Sequence, residues 1–217
     1  AKISDNLNKI TDWLKVRKDG SGNPFYLYLE AMVEFQNGQT TVGVEKLELL
    51  VNQNFIFKEL FVQLANAYRI LGNYDKSFIC LLKAEKLCSD NDPFLAKIIN
   101  LKGTIYYLSG EYDKANAEYK SALKKSQSTG NKIEEIKSVA NLAIIKDLYG
   151  EIYEARDDFH QAIEMAKIIE NTELLAFLHS ELGVSYTYTN NLIDSRKNYE
   201  TSLELYELIK NTERLSY

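Results

Sequence analysis

Apolar residues recur three and four positions apart along most of the chain, the periodicity of helices that bury one face. Residues 3–18 set Ile3, Leu7, Ile10 and Leu14 at that spacing, with Trp13 beside them, before the sequence DGSGNP breaks the pattern. Paired amphipathic stretches then follow one another. Between the two members of each pair stands Gly38, Gly72, Gly110 or Gly150, with Asn190 in the equivalent place. A chain that reverses just after a helix needs a left-handed backbone, which glycine and asparagine adopt most readily. By subtraction the turns lie 34, 38, 40 and 40 residues apart, the period of a two-helix repeat.

Fixed places around each turn carry small residues. Seven before it stand Ala31, Ala65, Gly103, Ala143 and Gly183, and five after it Gly43, Ser77, Ala115, Ala155 and Ser195. Small side chains at a constant offset on both helices let the two backbones approach closely. Larger residues fill the remaining shared positions and predict the packing between helices. Tyr68, Tyr106 and Tyr186 stand four before the turn, Tyr74, Tyr112, Ile152 and Leu192 two after it, and Leu81, Tyr119, Phe159 and Tyr199 nine after it.

Stretches such as LANAYRILGNYDKSFICLLKAEKL and LKGTIYYLSGEYDKANAEYKSALKKS resemble the tetratricopeptide repeat family over about residues 24–210. The resemblance implies an all-α fold, an α-solenoid wound as a right-handed superhelix of about five antiparallel helix pairs. Repeats are expected at about 24–57, 58–95, 96–135, 136–175 and 176–210, with residues 1–23 as an N-terminal helix and linker. Three departures stand out: Lys146 replaces an aromatic, Lys102 replaces a leucine, and the first repeat keeps little beyond Ala31 and Gly38. The final residues NTERLSY realign on NTELLAF from Asn171. Residues 211–217 are therefore expected to begin a sixth repeat, in a segment cut from a longer polypeptide.

Composition narrows the function. With 45% apolar and 26% charged residues the 217-residue chain has the material for a packed interior. A formal net charge of -5 and the lack of any Lys/Arg block leave no electrostatic footprint for nucleic acid or an anionic membrane. No apolar run approaches the roughly 20 residues of a membrane span, and AKISDNLNKI lacks the order of a secretory signal. Cys80 and Cys88, eight apart on one expected helix, stand about 12 Å apart at 1.5 Å per residue, too far for a disulfide. Two unpaired thiols fit a cytoplasmic protein.

The family lines its concave surface with the first helices of successive repeats. That resemblance makes Asn66, Arg69, Asn100, Tyr107, Lys137, Asn141, Ile144, Asp147 and Tyr188 the expected partner-binding residues. Asn66, Asn100 and Asn141 offer a donor and an acceptor each, and are expected to form a ladder along an extended peptide. The carboxylate clamp of some family members is not expected, because Val62 and Asn141 stand where lysine and arginine are needed.

His160 and His179 are 19 residues apart with no third ligand nearby, so no metal, and no other cofactor, is expected. No nucleophile, phosphate or cofactor motif is present, and the chain is read as a non-enzyme. Most of the 15 tyrosines fall on packing positions rather than on a base-stacking platform. The expected function is a protein or peptide interaction module, the docking or sensing part of a larger, bacterial-type regulator. Two alternatives stay open: a small-ligand sensor with a deep aromatic pocket around Tyr107 and Tyr188, and self-association through the end repeats.

Overall fold

A computed structural model describes residues 23–215, with side chains described up to residue 210. The helix expected over residues 3–18 lies outside the described residues. Ten helices and no strand are present among those described. They are α1 (Pro24–Gln36), α2 (Thr40–Asn52), α3 (Lys58–Ile70), α4 (Tyr74–Lys86), α5 (Phe94–Leu108), α6 (Tyr112–Thr129), α7 (Lys132–Leu148), α8 (Ile152–Ile168), α9 (Thr172–Tyr188) and α10 (Leu192–Leu215). The expected all-α class and its helix pairs are thus present, and the described residues fall into two compact units, unit 1 up to Asp92 and unit 2 from Pro93.

The turns fall where the small left-handed residues stand. Gly38, Gly72, Gly110 and Gly150 take φ between 73° and 85°, and Asn190 takes φ 54°. Asparagine side chains then start the helices: Asn73 accepts from the Lys76 amide, Asn131 from Glu134, Asn171 from Leu174 and Asn191 from Asp194. Because Asn131 and Asn171 act as caps, α7 and α9 begin at 132 and 172, four residues ahead of the boundaries that equal spacing placed at 136 and 176.

Within each pair the helices run antiparallel, since residues progressively farther before the turn meet residues progressively farther after it. In unit 1 the Ser77 hydroxyl donates to the carbonyl of Ala65 at 2.7 Å, and Lys46 pairs with Glu34 at 3.0 Å and Glu30 at 3.1 Å. In unit 2 the Ser202 hydroxyl reaches the Ala176 carbonyl at 2.7 Å. A hydroxyl can bond the backbone of the facing helix only because both positions are small. Lys102 and Lys146, which break the sequence pattern, are matched by acids on the partner helix. Lys102 pairs with Glu118 at 3.4 Å and Lys146 with Asp158 at 2.6 Å.

The core of unit 1 centres on Leu47, Leu50, Leu60 and Leu81, all fully buried. That of unit 2 centres on Ile136, Phe159, Leu178 and Leu182. Cys80 is buried and Cys88 half-buried, and both are free thiols. Helix α10 continues to Leu215 without a break at Asn211, so the reversal that the realignment of 211–217 called for is absent there. At the aligned position Glu170 turns the chain with φ 52° and Asn171 caps a full helix.

Candidate functional site

Counting back from the turn residue exposes a stripe on the first helices α3, α5, α7 and α9. The residues nine, six and three before the turn are Gln63, Asn66 and Arg69 on α3, Leu101, Thr104 and Tyr107 on α5, Asn141, Ile144 and Asp147 on α7, and Glu181, Val184 and Thr187 on α9. Nearly all are half-buried, whereas the residues between them on the same helices are largely core. Steps of three keep them on one helix face. Six of the nine residues expected from sequence lie on this stripe: Asn66 and Arg69 in unit 1, and Tyr107, Asn141, Ile144 and Asp147 in unit 2.

The other three do not. Asn100 stands ten before its turn, is 4% exposed, and spends its amide inside the protein. Its Nδ2 donates to the Glu134 carbonyl at 3.2 Å and to Glu134 Oε2 at 3.0 Å, and its Oδ1 accepts from Ser138 Oγ at 3.1 Å. Lys137 is tied to Glu134 Oε1 at 3.0 Å, one turn earlier on α7. Tyr188 is 60% exposed at the end of α9, so it does not wall a deep aromatic pocket. The expected ladder also fails on register, because Asn66, Asn100 and Asn141 stand six, ten and nine residues before their turns. Side chains on different faces of successive helices cannot follow one extended strand.

Glu181, which the sequence reading missed, belongs to the site through its register: it is the residue 40 after Asn141. One helical turn after it, Ser185 donates its hydroxyl to Asp147 Oδ1 at 2.9 Å, which ties α9 to α7. Arg156 of α8 secures the same junction. Its guanidinium donates to the Ser185 carbonyl at 2.9 Å and to Thr189 Oγ1 at 2.6 Å, and stacks 4.2 Å from the centre of the Tyr186 ring.

The electrostatics of this face are those of carboxylates short of cations. Burial raises the Glu181 pKa and the Asp147 charge raises it further. Burial also raises Asp147, against the opposing pull of the Ser185 hydroxyl and Arg156. Neither carboxylate has an ion-pair partner within 4.0 Å among the described residues. Burial lifts the Tyr107 and Tyr188 hydroxyls, and after burial Tyr107 feels Tyr188 while Tyr188 feels Asp147 and then Glu181. Tyr107, Asp147, Glu181 and Tyr188 on unit 2 are thus linked by the charges they feel. In unit 1, the Nε of Arg69 is buried with no hydrogen-bond partner, a donor left open on the stripe.

The histidines lie elsewhere. His179 Nδ1 bonds the Asn198 side chain at 2.9 Å, between α9 and α10, and His160 is exposed. No cluster of three or more metal-ligating side chains occurs among the described residues, and none of their helices is long and apolar enough to cross a membrane.

Paired antiparallel helices, glycine turns at a 34 to 40 residue period and a repeated first-helix face define a helix-pair repeat protein. Residues 59–128 match the family described as tetratricopeptide repeat. No curated protein sequence matches it. Among solved structures it is similar to the Rap conjugation gene regulator of the plasmid pLS20 in complex with the Phr* peptide, with a TM-score of 0.76 and 17% identity, covering 87% of this chain and 54% of that one. It is also similar to the Cut9-Hcn1 hetero-tetramer of the APC/C, with a TM-score of 0.75 and 14% identity over 93% of this chain and 37% of that one. BtubC from P. vanneervenii is similar at a TM-score of 0.66 and 13% identity, with 94% and 91% covered. At these identities the likeness is one of fold.

Proposed function

We propose that this chain is a protein-interaction module whose unit 2 binds a peptide or partner helix along the first-helix face of α5, α7 and α9, with a basic residue of the ligand set against Asp147 and Glu181. In this reading it is the docking or sensing part of a larger regulatory protein. The observation that carries it is the pair of carboxylates without ion pairs, each raised by burial, flanked by Tyr107 and Tyr188. A cation supplied by a ligand would relieve that charge. The Rap regulator solved with the Phr* peptide supports a peptide as the ligand class.

Selection of peptides from a displayed random library, followed by calorimetry, tests this. Selected peptides are expected to carry lysine or arginine, and replacing that residue by norleucine is expected to weaken binding about tenfold or more, roughly 1.4 kcal/mol. Glu181→Gln is expected to cause a similar loss at pH 7.5. Affinity of the parent should fall as pH drops through the raised carboxylate range, because the protonated acids no longer attract the cation, and Glu181→Gln should flatten that dependence.

Stability carries the opposite sign. Glu181 holds its proton above the ordinary 4.5, so the folded state binds more protons than the unfolded state in that window and stability falls as pH rises through it. Glu181→Gln is therefore expected to raise the melting temperature at pH 7.5. Selected peptides without basic residues, or a Glu181→Gln variant that binds as the parent does, would overturn the proposal.

A second reading, self-association through the end repeat, is favoured by the outer face of α10. Tyr199, Leu203 and Tyr206 are 40%, 59% and 45% exposed, whereas their equivalents 40 residues earlier, Phe159, Ile163 and Ala166, are 0%, 3% and 0% exposed. Light scattering is expected to show a mass that rises with concentration and falls back on Leu203→Glu. A constant monomer mass for the parent removes this reading.

A further inference from the structure

Unit 1 contains a cavity of about 360 Å³ built by the second helices α2 and α4 over α3. It lies in unit 1, whereas peptide binding is assigned to a face of unit 2, so it is independent of that reading. Its apolar side comes from Phe61 and Leu64 of α3 and from Ile79 of α4. Its volume lies in the range of small-molecule sites, about 300 to 1,000 Å³.

Charge at the cavity is net positive, two lysines against one carboxylate. Lys76 and Lys83 lie seven apart on α4, two turns along one face and about 10 Å apart along the axis at 1.5 Å per residue. Neither makes an ion pair with a described residue. Instead the Lys76 ammonium stands 5.0 Å from the centre of the Tyr68 ring, and that of Lys83 stands 5.5 Å from the centre of the Phe61 ring. Glu48 is the only carboxylate in the lining, and it accepts the hydrogen bond of the Tyr68 hydroxyl. Burial raises the Cys80 thiol, against the opposing pull of the Lys83 and Lys76 charges.

Two lysines resting on aromatic faces are cations in a weak, replaceable contact. An acid group would draw them off the rings and leave two aromatic faces open to a flat apolar body. We propose that this cavity binds a small organic acid with an aromatic body, its anionic group held between Lys76 and Lys83 and its ring system against Phe61, Tyr68 and Ile79.

The test uses 1-anilinonaphthalene-8-sulfonate as the anionic aromatic probe and N-phenyl-1-naphthylamine as its uncharged counterpart. It is run on the full chain in a Cys88→Ser background, so that Cys80 is the single thiol. The anionic probe is expected to bind with saturation at one site. It should bind at least tenfold weaker to Lys76→Gln/Lys83→Gln and unchanged to the charge-matched control Lys120→Gln/Lys124→Gln in α6. Both lysines are exposed, so the double variant is expected to keep the parent's circular dichroism and melting temperature.

Bound probe should also slow modification of the buried Cys80 thiol by a disulfide reagent at least threefold. The uncharged probe should bind at least tenfold weaker than the anionic one. Equal binding of the two probes, full binding to the double variant, unaltered Cys80 labelling with the site occupied, or no saturable binding would each overturn the proposal.

Discussion

Asn100→Asp is expected to destabilise the protein by about 3 kcal/mol or more near neutral pH, against about 2 kcal/mol for Asn100→Ala. The amide of Asn100 is buried and uses both of its sides, donating to the main chain and carboxylate of Glu134 and accepting from Ser138. Alanine removes these bonds but adds no charge. Aspartate places a second carboxylate against Glu134, itself 5% exposed, with only Lys137 to balance the pair. Two buried like charges at hydrogen-bond distance cannot both ionise without a large cost.

The loss should therefore shrink as the solution is acidified toward the carboxylate range, where one proton shared between the two acids restores a donor. For a chain of this length about 3 kcal/mol corresponds to a fall in melting temperature of roughly 6 to 12 °C. Thermal melts of the two variants between pH 4.5 and 7.5 read both the size and the pH signature. Asn100→Asp melting with the parent at every pH would show that the amide is not holding α5 to α7.

Gly103→Ala is expected to cost about 1 to 3 kcal/mol, although alanine is the better helix former by about 1 kcal/mol. A methyl at 103 would sit 2.6 Å and 2.7 Å from two atoms of the Tyr119 ring. That ring is 4% exposed and packed among Ala115 and Ile145, with Tyr106 and Leu142 beside them, so it has nowhere to retreat. Gly183 provides the control within the same unit. Its added methyl would meet the Tyr199 ring at 3.0 to 3.2 Å, and Tyr199 is 40% exposed and free to yield.

Gly183→Ala is thus expected to stay within about 1 kcal/mol of the parent, the gain in helix propensity offsetting the contact. Denaturant melts of both variants, with Tyr119→Leu alone and combined with Gly103→Ala, test the cause. If the clash is with the ring, the double variant loses less than the sum of the singles. Strict additivity would place the cost elsewhere.

These two positions show what kind of information a sequence carries. Gly103 and Gly183 were legible as close-approach sites because a two-helix repeat returns to the same place at a near-constant period, and a small residue recurs there in every repeat. The turns at Gly72, Gly110, Gly150 and Asn190 were legible for the same reason, since a left-handed backbone leaves its mark in residue type. Glu170, also left-handed at φ 52°, left none, because an exposed glutamate at a turn looks like any other surface acid. The lysines at 102 and 146 read as departures until Glu118 and Asp158 were found facing them.

Asn100 and Glu181 mark where local reading stops. In sequence, Asn100 is a polar residue on a first helix, indistinguishable from one that contacts a ligand. Only the packing of α7 against α5 turns its amide inward, because Glu134 and Ser138 arrive from 34 and 38 residues away. Glu181 reads as a solvated charge, and only the juxtaposition of α9 with α7 sets it beside Asp147 in a place that burial keeps poor in cations.

Helix, turn and repeat follow from interactions a few residues apart that recur, so periodicity alone determined the all-α class, the pairing of helices and the residues at their contact. Which polar side chains are consumed by the fold and which are left for a ligand depends on what distant segments bring beside them. That the tertiary structure alone decided, because burial and charge are set by neighbours in space.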